Sequence, residues 1–388
     1  MNSENRKILP DIDQCYGSLA SMLRKFDTYA RKDCFRGETK EEFLAWKEET
    51  RKLLTNLLGI HKMEFCDLNP VMEDVTEIAI DAETMTETAL VSESTAEYGA
   101  EKSRIITREH IRIQVEPDVW MPMYILISQG ADSTTRVFLC PPGHNGAGKY
   151  AVAGLREYSA IAETIKQYHY DYGYELAKLG YVVICPDCRG FGERREDMAD
   201  TKDEIAALKG DCYWLAHMGE PLGIPVVGML TWDLMRVMDY VKQRGDWDYN
   251  KISCLGFSGG GMQTLWLAAL DDRVELAIIS GYMYGYRDAL MTLNHNCSCN
   301  YVPNLWEHLD MGDIGSLIAP RPLLIQSCKD DRLNGPRGII NAIEQVDIIR
   351  KAYKLMGAPE VVIHEICEGT HQWHGEKLEE NLNYLSKG

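Results

Sequence analysis

The chain has 388 residues, 45% hydrophobic and 26% charged, enough for one large α/β domain with additions or for two domains. Its formal net charge of −18 argues against nucleic acid or an anionic membrane surface as partner. No run of about 18 apolar residues is available to span a membrane. The N-terminus, Met1-Asn-Ser-Glu-Asn, lacks a signal-peptide core, so the 12 cysteines read as reduced thiols of a cytoplasmic protein.

Residues 1–70 read as a helical extension, and residues 71–388 as one large domain. Leu19, Met22, Leu23, Phe26 and Ala30 recur at helical spacing, and Phe43, Leu44, Trp46, Leu53, Leu54 and Leu57 do so again. Thr39 with Glu42 three residues on spells a capping box for the second helix. The two apolar stripes predict packing onto the larger domain, ahead of a subunit interface; a homo-oligomer stays open. Between Glu73 and Glu101 stand nine acidic residues and no Lys or Arg. Val75, Ile78, Ile80, Leu90 and Val91 among β-branched threonines nevertheless predict exposed edge strands there.

Residues 105–115 and 121–127 continue as antiparallel strands, and then the pattern changes. Val137–Cys140, Tyr181–Cys185, Ile252–Leu255, Ala277–Ser280, Pro322–Gln326 and Val361–Ile366 are short, continuous apolar runs. Helical stretches alternate with them, over about 155–179, over 226–244, from about Gly260, and at the C-terminus. A strand without polar alternation is covered on both faces, so the expectation is a mostly parallel central sheet with helices on both sides.

Gly256-Phe-Ser-Gly-Gly260 sits between such a strand and a helix, the context of a G-x-S-x-G nucleophile elbow. A serine on so sharp a turn needs neighbours without Cβ atoms. The following helix aims its first N–H groups at an oxyanion, so Gly259 is one candidate donor. Serine needs a base, and the base an orienting acid. The loop after the strand ending near Gln326 offers Asp330 and Asp331, and the loop after the last strand offers His371 and His374. A second oxyanion donor is expected from Pro141-Pro-Gly-His-Asn-Gly146, at His144 or Asn145. His144 as the base is disfavoured by its place before the serine. His371-x-x-His374 as a metal site lacks the H-E-x-x-H spelling. His295-x-Cys297-x-Cys299 matches no standard zinc spacing and reads as inert thiols. Asp187 and Arg189 read as loop-shaping residues.

Together, Cys140-Pro-Pro-Gly-His-Asn-Gly, Pro186-Asp-Cys-Arg-Gly-Phe-Gly, the elbow, Ile318-Ala-Pro-Arg-Pro, Asp331-Arg-Leu-Asn-Gly and Gly369-Thr-His-Gln-Trp-His resemble the dienelactone-hydrolase and acetyl-xylan-esterase-like α/β-hydrolases. The resemblance covers residues 137–388. It implies the α/β-hydrolase fold and a carboxylic-ester hydrolase with no cofactor, acting on a small-molecule ester; no metal site is expected from the histidine and cysteine spacings. It carries over Ser258 as nucleophile, Asp331 as acid and His371 as base. Relatives often have Gly-x-x-Asp where this chain has Cys328-Lys-Asp-Asp, which keeps Asp330 in competition. Dienelactone hydrolases proper use cysteine, so their particular chemistry is not implied. A serine peptidase of related fold and a non-catalytic binding protein are the rival readings. The substrate expectation is a small acyl group, acetyl above all, on a neutral carbohydrate or similar alcohol. Trp214, Tyr282, Tyr284, Trp306 and Trp373 are aromatics near the motifs that could stack on sugars.

Overall fold

The continuous apolar runs become strands, buried along nearly their whole length except the last, Val362–Cys367, which lies at the sheet edge and is only partly covered. The computed structural model describes residues 15–80, 104–196, 203–293 and 296–385. It contains nine strands in one sheet: β1 (Val71–Ile80), β2 (Arg104–Glu116), β3 (Val119–Ser128), β4 (Val137–Leu139), β5 (Val182–Pro186), β6 (Ile252–Phe257), β7 (Val274–Ser280), β8 (Leu323–Cys328) and β9 (Val362–Cys367). Every residue of β4, β5, β6 and β8 is buried. The strand order is β1-β2-β3-β5-β4-β6-β7-β8-β9. Pairing is antiparallel from β1 through β3 to β5, and parallel from β5 to β9. This is the α/β-hydrolase fold, with the expected edge strand present as β1. The rest of the predicted acidic edge, residues 81–103, lies outside the described residues.

Among the described residues eight helices run to eight residues or more: α1 (Leu19–Tyr29), α2 (Lys40–Leu57), α3 (Ser159–Tyr168), α4 (Cys212–Gly219), α5 (Val226–Arg244), α6 (Gly259–Leu270), α7 (Ile339–Met356) and α8 (Leu378–Leu385). No helix among the described residues is long and apolar enough to cross a membrane. The predicted helix over 155–179 is two helices, α3 and Tyr172–Lys178, separated at His169, whose φ of 52° is left-handed. The reason is tertiary. His169 Nδ1 meets the Trp373 carbonyl at 3.0 Å, and the Trp373 N–H donates to the Tyr168 carbonyl at 2.9 Å. The break docks the last loop of the sheet. Helix α4 falls between the predicted strand Tyr181–Cys185 and the predicted helix over 226–244, where the sequence pattern predicts no element.

The Thr39–Glu42 capping box is formed, with the Glu42 N–H donating to Thr39 Oγ1 at 3.2 Å and the Thr39 N–H to Glu42 Oε2 at 3.0 Å. Helix α2 buries Phe43 and Leu54 and anchors by charge: Lys47 donates to the Ala319 carbonyl, and Arg51 grips Asp272. Helix α1 buries none of its residues, and Leu19 and Met22 stay about 40% exposed, so its stripe is only partly covered. The segment after α1 is better held. Arg31, Lys32 and Asp33 donate backbone N–H groups to the carbonyls of Trp306, Glu307 and His308, and Arg31 pairs with buried Asp313 at 2.8 and 2.9 Å.

Candidate active site

Parallel strands place their following loops on one edge of the sheet, where open α/β folds bind ligands. Ser258 follows β6, Asp331 follows β8, His371 follows β9, and His144 and Asn145 follow β4. The elbow is as tight as its spelling predicts. A Cβ on Gly256 would lie 2.1 Å from the Gly260 carbonyl oxygen. Ser258 itself takes φ 57°, ψ −121°, a strained backbone for a residue with a side chain. Its N–H donates to the Ser280 carbonyl at 2.9 Å, locking the turn to β7.

The loops after β8 and β9 are laced together. Lys329 N–H donates to the Cys367 carbonyl, and Asp330 N–H to the Gly369 carbonyl. That lacing carries His371 over the elbow, where its ring packs on Phe257 with centroids 4.6 Å apart. His371 Nε2 stands 2.8 Å from Ser258 Oγ, and His371 Nδ1 stands 2.6 Å from Asp331 Oδ2. The other Asp331 oxygen accepts the Leu333 N–H at 2.8 Å, which fixes the carboxylate. Asp331 is buried and Asp330 is exposed. His374 turns elsewhere, with Nδ1 3.3 Å from Glu376 Oε2 and Nε2 3.4 Å from Gln372 Nε2. The structure therefore joins Ser258, His371 and Asp331 into one hydrogen-bonded line and leaves Asp330 and His374 outside it.

The β4 loop runs close beneath the elbow. A Cβ on Gly143 would lie 3.0 Å from the Gly259 nitrogen and 2.7 Å from the Phe257 carbonyl. Buried Tyr170 donates its hydroxyl to the His144 carbonyl at 2.8 Å, and Gln263 donates to the Pro142 carbonyl at 2.8 Å. Burial pushes the Tyr170 hydroxyl well above the ordinary tyrosine range, so it stays a neutral donor. The N–H groups of His144 and Asn145 have no backbone acceptor among the described hydrogen bonds. Gly259, at the start of α6, has no intrahelical acceptor for its N–H by geometry.

Asp187 and Arg189 shape the next loop. Asp187 accepts from Lys149 Nζ at 2.6 Å and from two backbone N–H groups. Arg189 and Arg194 share the fully buried Asp233, whose carboxyl they hold down against a desolvation that would raise it. A groove walled by Leu44, Lys47, Arg51 and Asp272 lies beyond the far end of α6 from Ser258. A 12-residue helix separates those ends by about 17 Å, so that groove is not part of this site.

The thiols read as inert have company that the spacing did not disclose. Cys297 and Cys299 meet Cys212, the first residue of α4, and the ring of His144. Hydrogen bonds from Cys212 and Cys299 hold the Cys297 thiol well below the ordinary range. His295 lies outside the described residues. Cys328, near the candidate acid, is different: burial pushes it up to about 11.

Comparison with known proteins agrees with this architecture. YtaP of Bacillus subtilis (strain 168), named as a hydrolase, is 32% identical over 167 residues, which is 42% of this chain and 52% of YtaP. Carbohydrate esterase MZ0003, from an unknown prokaryotic organism, is 26% identical over 136 residues, 31% of each chain. The match thus spans about half of the first relative's length and under a third of the second's. Among solved structures, a Bacteroides fragilis NCTC 9343 protein named as an acetyl xylan esterase superposes with a TM-score of 0.67 at 18% identity, covering 92% of this chain and 83% of that one. A family model matches residues 12–386, N-terminal helices included, and the chain belongs to the Abhydrolase family.

Proposed function

We propose that the chain is a serine carboxylic-ester hydrolase that removes a small acyl group, acetyl above all, from a carbohydrate or similar polar alcohol. The observation that carries this reading is the unbroken line from Ser258 Oγ through the His371 ring to Asp331. In the proposed cycle His371 takes the Ser258 proton as Oγ attacks the ester carbonyl. Asp331 holds the ring in the tautomer that leaves Nε2 free to accept, and stabilises the imidazolium. The N–H of Gly259, with that of His144 or Asn145, receives the oxyanion. His371 returns its proton to the leaving alcohol. It then activates the water that cleaves the acyl-enzyme, and no cofactor enters.

The carbohydrate part of the reading is supported by the names of two of the proteins it resembles, a carbohydrate esterase and an acetyl xylan esterase. It is also supported by Trp214 and Tyr213, each 57% exposed on α4, the helix whose first residue touches the His144 cluster. Tyr282, Tyr284 and Trp373 are core residues and offer no sugar platform. All 12 cysteines are unpaired, which supports a reducing, cytoplasmic setting.

Turnover of p-nitrophenyl acetate, butyrate and octanoate tests the proposal. Each methylene a pocket rejects is worth about 1–3 kcal/mol, so kcat/KM should fall steeply from acetate to octanoate. A maximum at octanoate would replace the small-acyl reading with a long-chain one. No turnover on any ester would leave a binding protein.

A further inference from the structure

Four soft donors converge beside the elbow. His144 Nε2 lies 3.3 Å from Cys299 Sγ, and one donor atom each from His144, Cys212, Cys297 and Cys299 falls within 4.8 Å of all the others. Tetrahedral zinc, with Zn–S near 2.3 Å and Zn–N near 2.0 Å, sets its donors about 3.5–3.8 Å apart. The observed spread, with every pair within 4.8 Å, is at most about 1 Å wider than that geometry. Cys212 and Cys299 are buried, and His144 and Cys297 half-buried, so this is an enclosed cluster. Among the described residues no other group of three or more His, Cys, Asp or Glu donors gathers in this way.

The surroundings suit thiolate ligands. Asn300 Nδ2 donates to Cys299 Sγ at 3.7 Å and to the Cys297 carbonyl at 3.0 Å. Its own Oδ1 accepts the Tyr282 hydroxyl at 2.8 Å, which orients the amide. N–H donors held in this way fix and tune sulfur ligands from the outer shell. The four donors come from three pieces of chain: the loop after β4, the start of α4 and residues 297–299, at the head of a short turn.

We infer that His144, Cys212, Cys297 and Cys299 form a closed Cys3His site for one zinc ion, which pins the His144 loop against the elbow. Four protein ligands leave no open position for water, so the ion is structural and takes no part in hydrolysis. Binding moves no electrons: the thiols coordinate as thiolates and release their protons to solvent. The geometry says what the ion would hold. While Nε2 faces Cys299, the Nδ1 side of the same ring faces Gly259, where a Cβ would lie only 2.7 Å from Nδ1. Gripping the ring therefore fixes the backbone that carries the His144 and Asn145 N–H groups. That consequence rests on the hydrolase reading; the metal site does not.

The full chain, purified under reducing conditions, should carry about one zinc per molecule by plasma mass spectrometry. Cys212→Ser and Cys297→Ser should each lose it, while Cys66→Ser, at a thiol outside the group, should keep it. Where the serine variants fail to fold, wild-type protein decides. Stripped by chelator and titrated with cobalt(II) chloride, it should show sulfur-to-cobalt charge-transfer bands and the visible bands of tetrahedral cobalt. Metal-free wild-type protein that gives no such bands would overturn the inference. So would zinc retained by both serine variants, or a Cys212–Cys297 disulfide in untreated protein. None of these readouts passes through ester turnover, so their failure would sink the site and leave the proposed function standing.

Discussion

Asp331 is 4% exposed and hydrogen-bonded to His371, while Asp330, its neighbour in sequence, points to the surface and offers the loop only its backbone N–H. Adjacent carboxylates thus have separate surroundings. On the proposed mechanism Asp331→Asn should lower kcat by about three to four orders of magnitude, because the amide favours the wrong imidazole tautomer. Asp330→Asn should stay within a few-fold of wild type. The reverse ranking on p-nitrophenyl acetate would reassign the acid.

Ser258→Ala and His371→Ala should be about equally damaging, since members of one catalytic unit are not additive. The double variant should then be no worse than either single one. His374→Ala should be mild, because its ring reaches Glu376 and Gln372 and not Ser258. Equal losses at the two histidines would show that the loop after β9 works differently.

His364 gives a pH prediction away from the site. It sits on β9 with Nε2 3.1 Å from Ser327 Oγ, and burial, aided by the nearby Arg350 charge, lowers it from an ordinary 6.5 to about 4. Between those values the unfolded chain carries a proton that the native chain does not. The stability it contributes is therefore present above pH 6.5 and lost as pH falls toward 4, by at most about 3 kcal/mol. His364→Gln should flatten urea-unfolding midpoints compared at pH 7 and pH 4.5. An unchanged acid loss in that variant would mean other groups dominate.

We propose that residues 15–70, the described part of the N-terminal extension, act as a clamp on the larger domain and not as a separate unit. Arg31–Asp313, Arg51–Asp272 and the N–H ladder to residues 306–308 all cross that boundary. Asp313 is buried, and stripping a buried charge of its partner costs about 3–5 kcal/mol. Deleting residues 1–60 should yield insoluble protein or a much lower melting temperature by calorimetry. A soluble truncation that melts with the full chain would make the segment an appendage.

The strands were legible because burial on both faces writes itself as unbroken apolar runs such as Val182–Cys185 and Leu323–Ile325. The elbow was legible because steric crowding dictates its glycines. The break at His169 was not, since a histidine in left-handed backbone carries no local signal and is held there by Trp373. The Cys212 partnership was not legible either. Its donors are scattered across the chain, and only Cys297-x-Cys299 hints at a ligand pair. Long-range convergence of single side chains leaves no periodicity to read.

The backbone at Ser258 sets the fold and the proposed chemistry against each other. Its φ of 57° with ψ of −121° suits glycine and costs a residue with a Cβ about 1–3 kcal/mol. Ser258→Gly should therefore melt higher than Ser258→Ala, while neither turns over ester. Judged by stability alone, glycine is the better residue at position 258. Serine there is a sacrifice of thermal tolerance, and thermostable variants recovered by screening for heat resistance without an activity screen should accumulate the glycine.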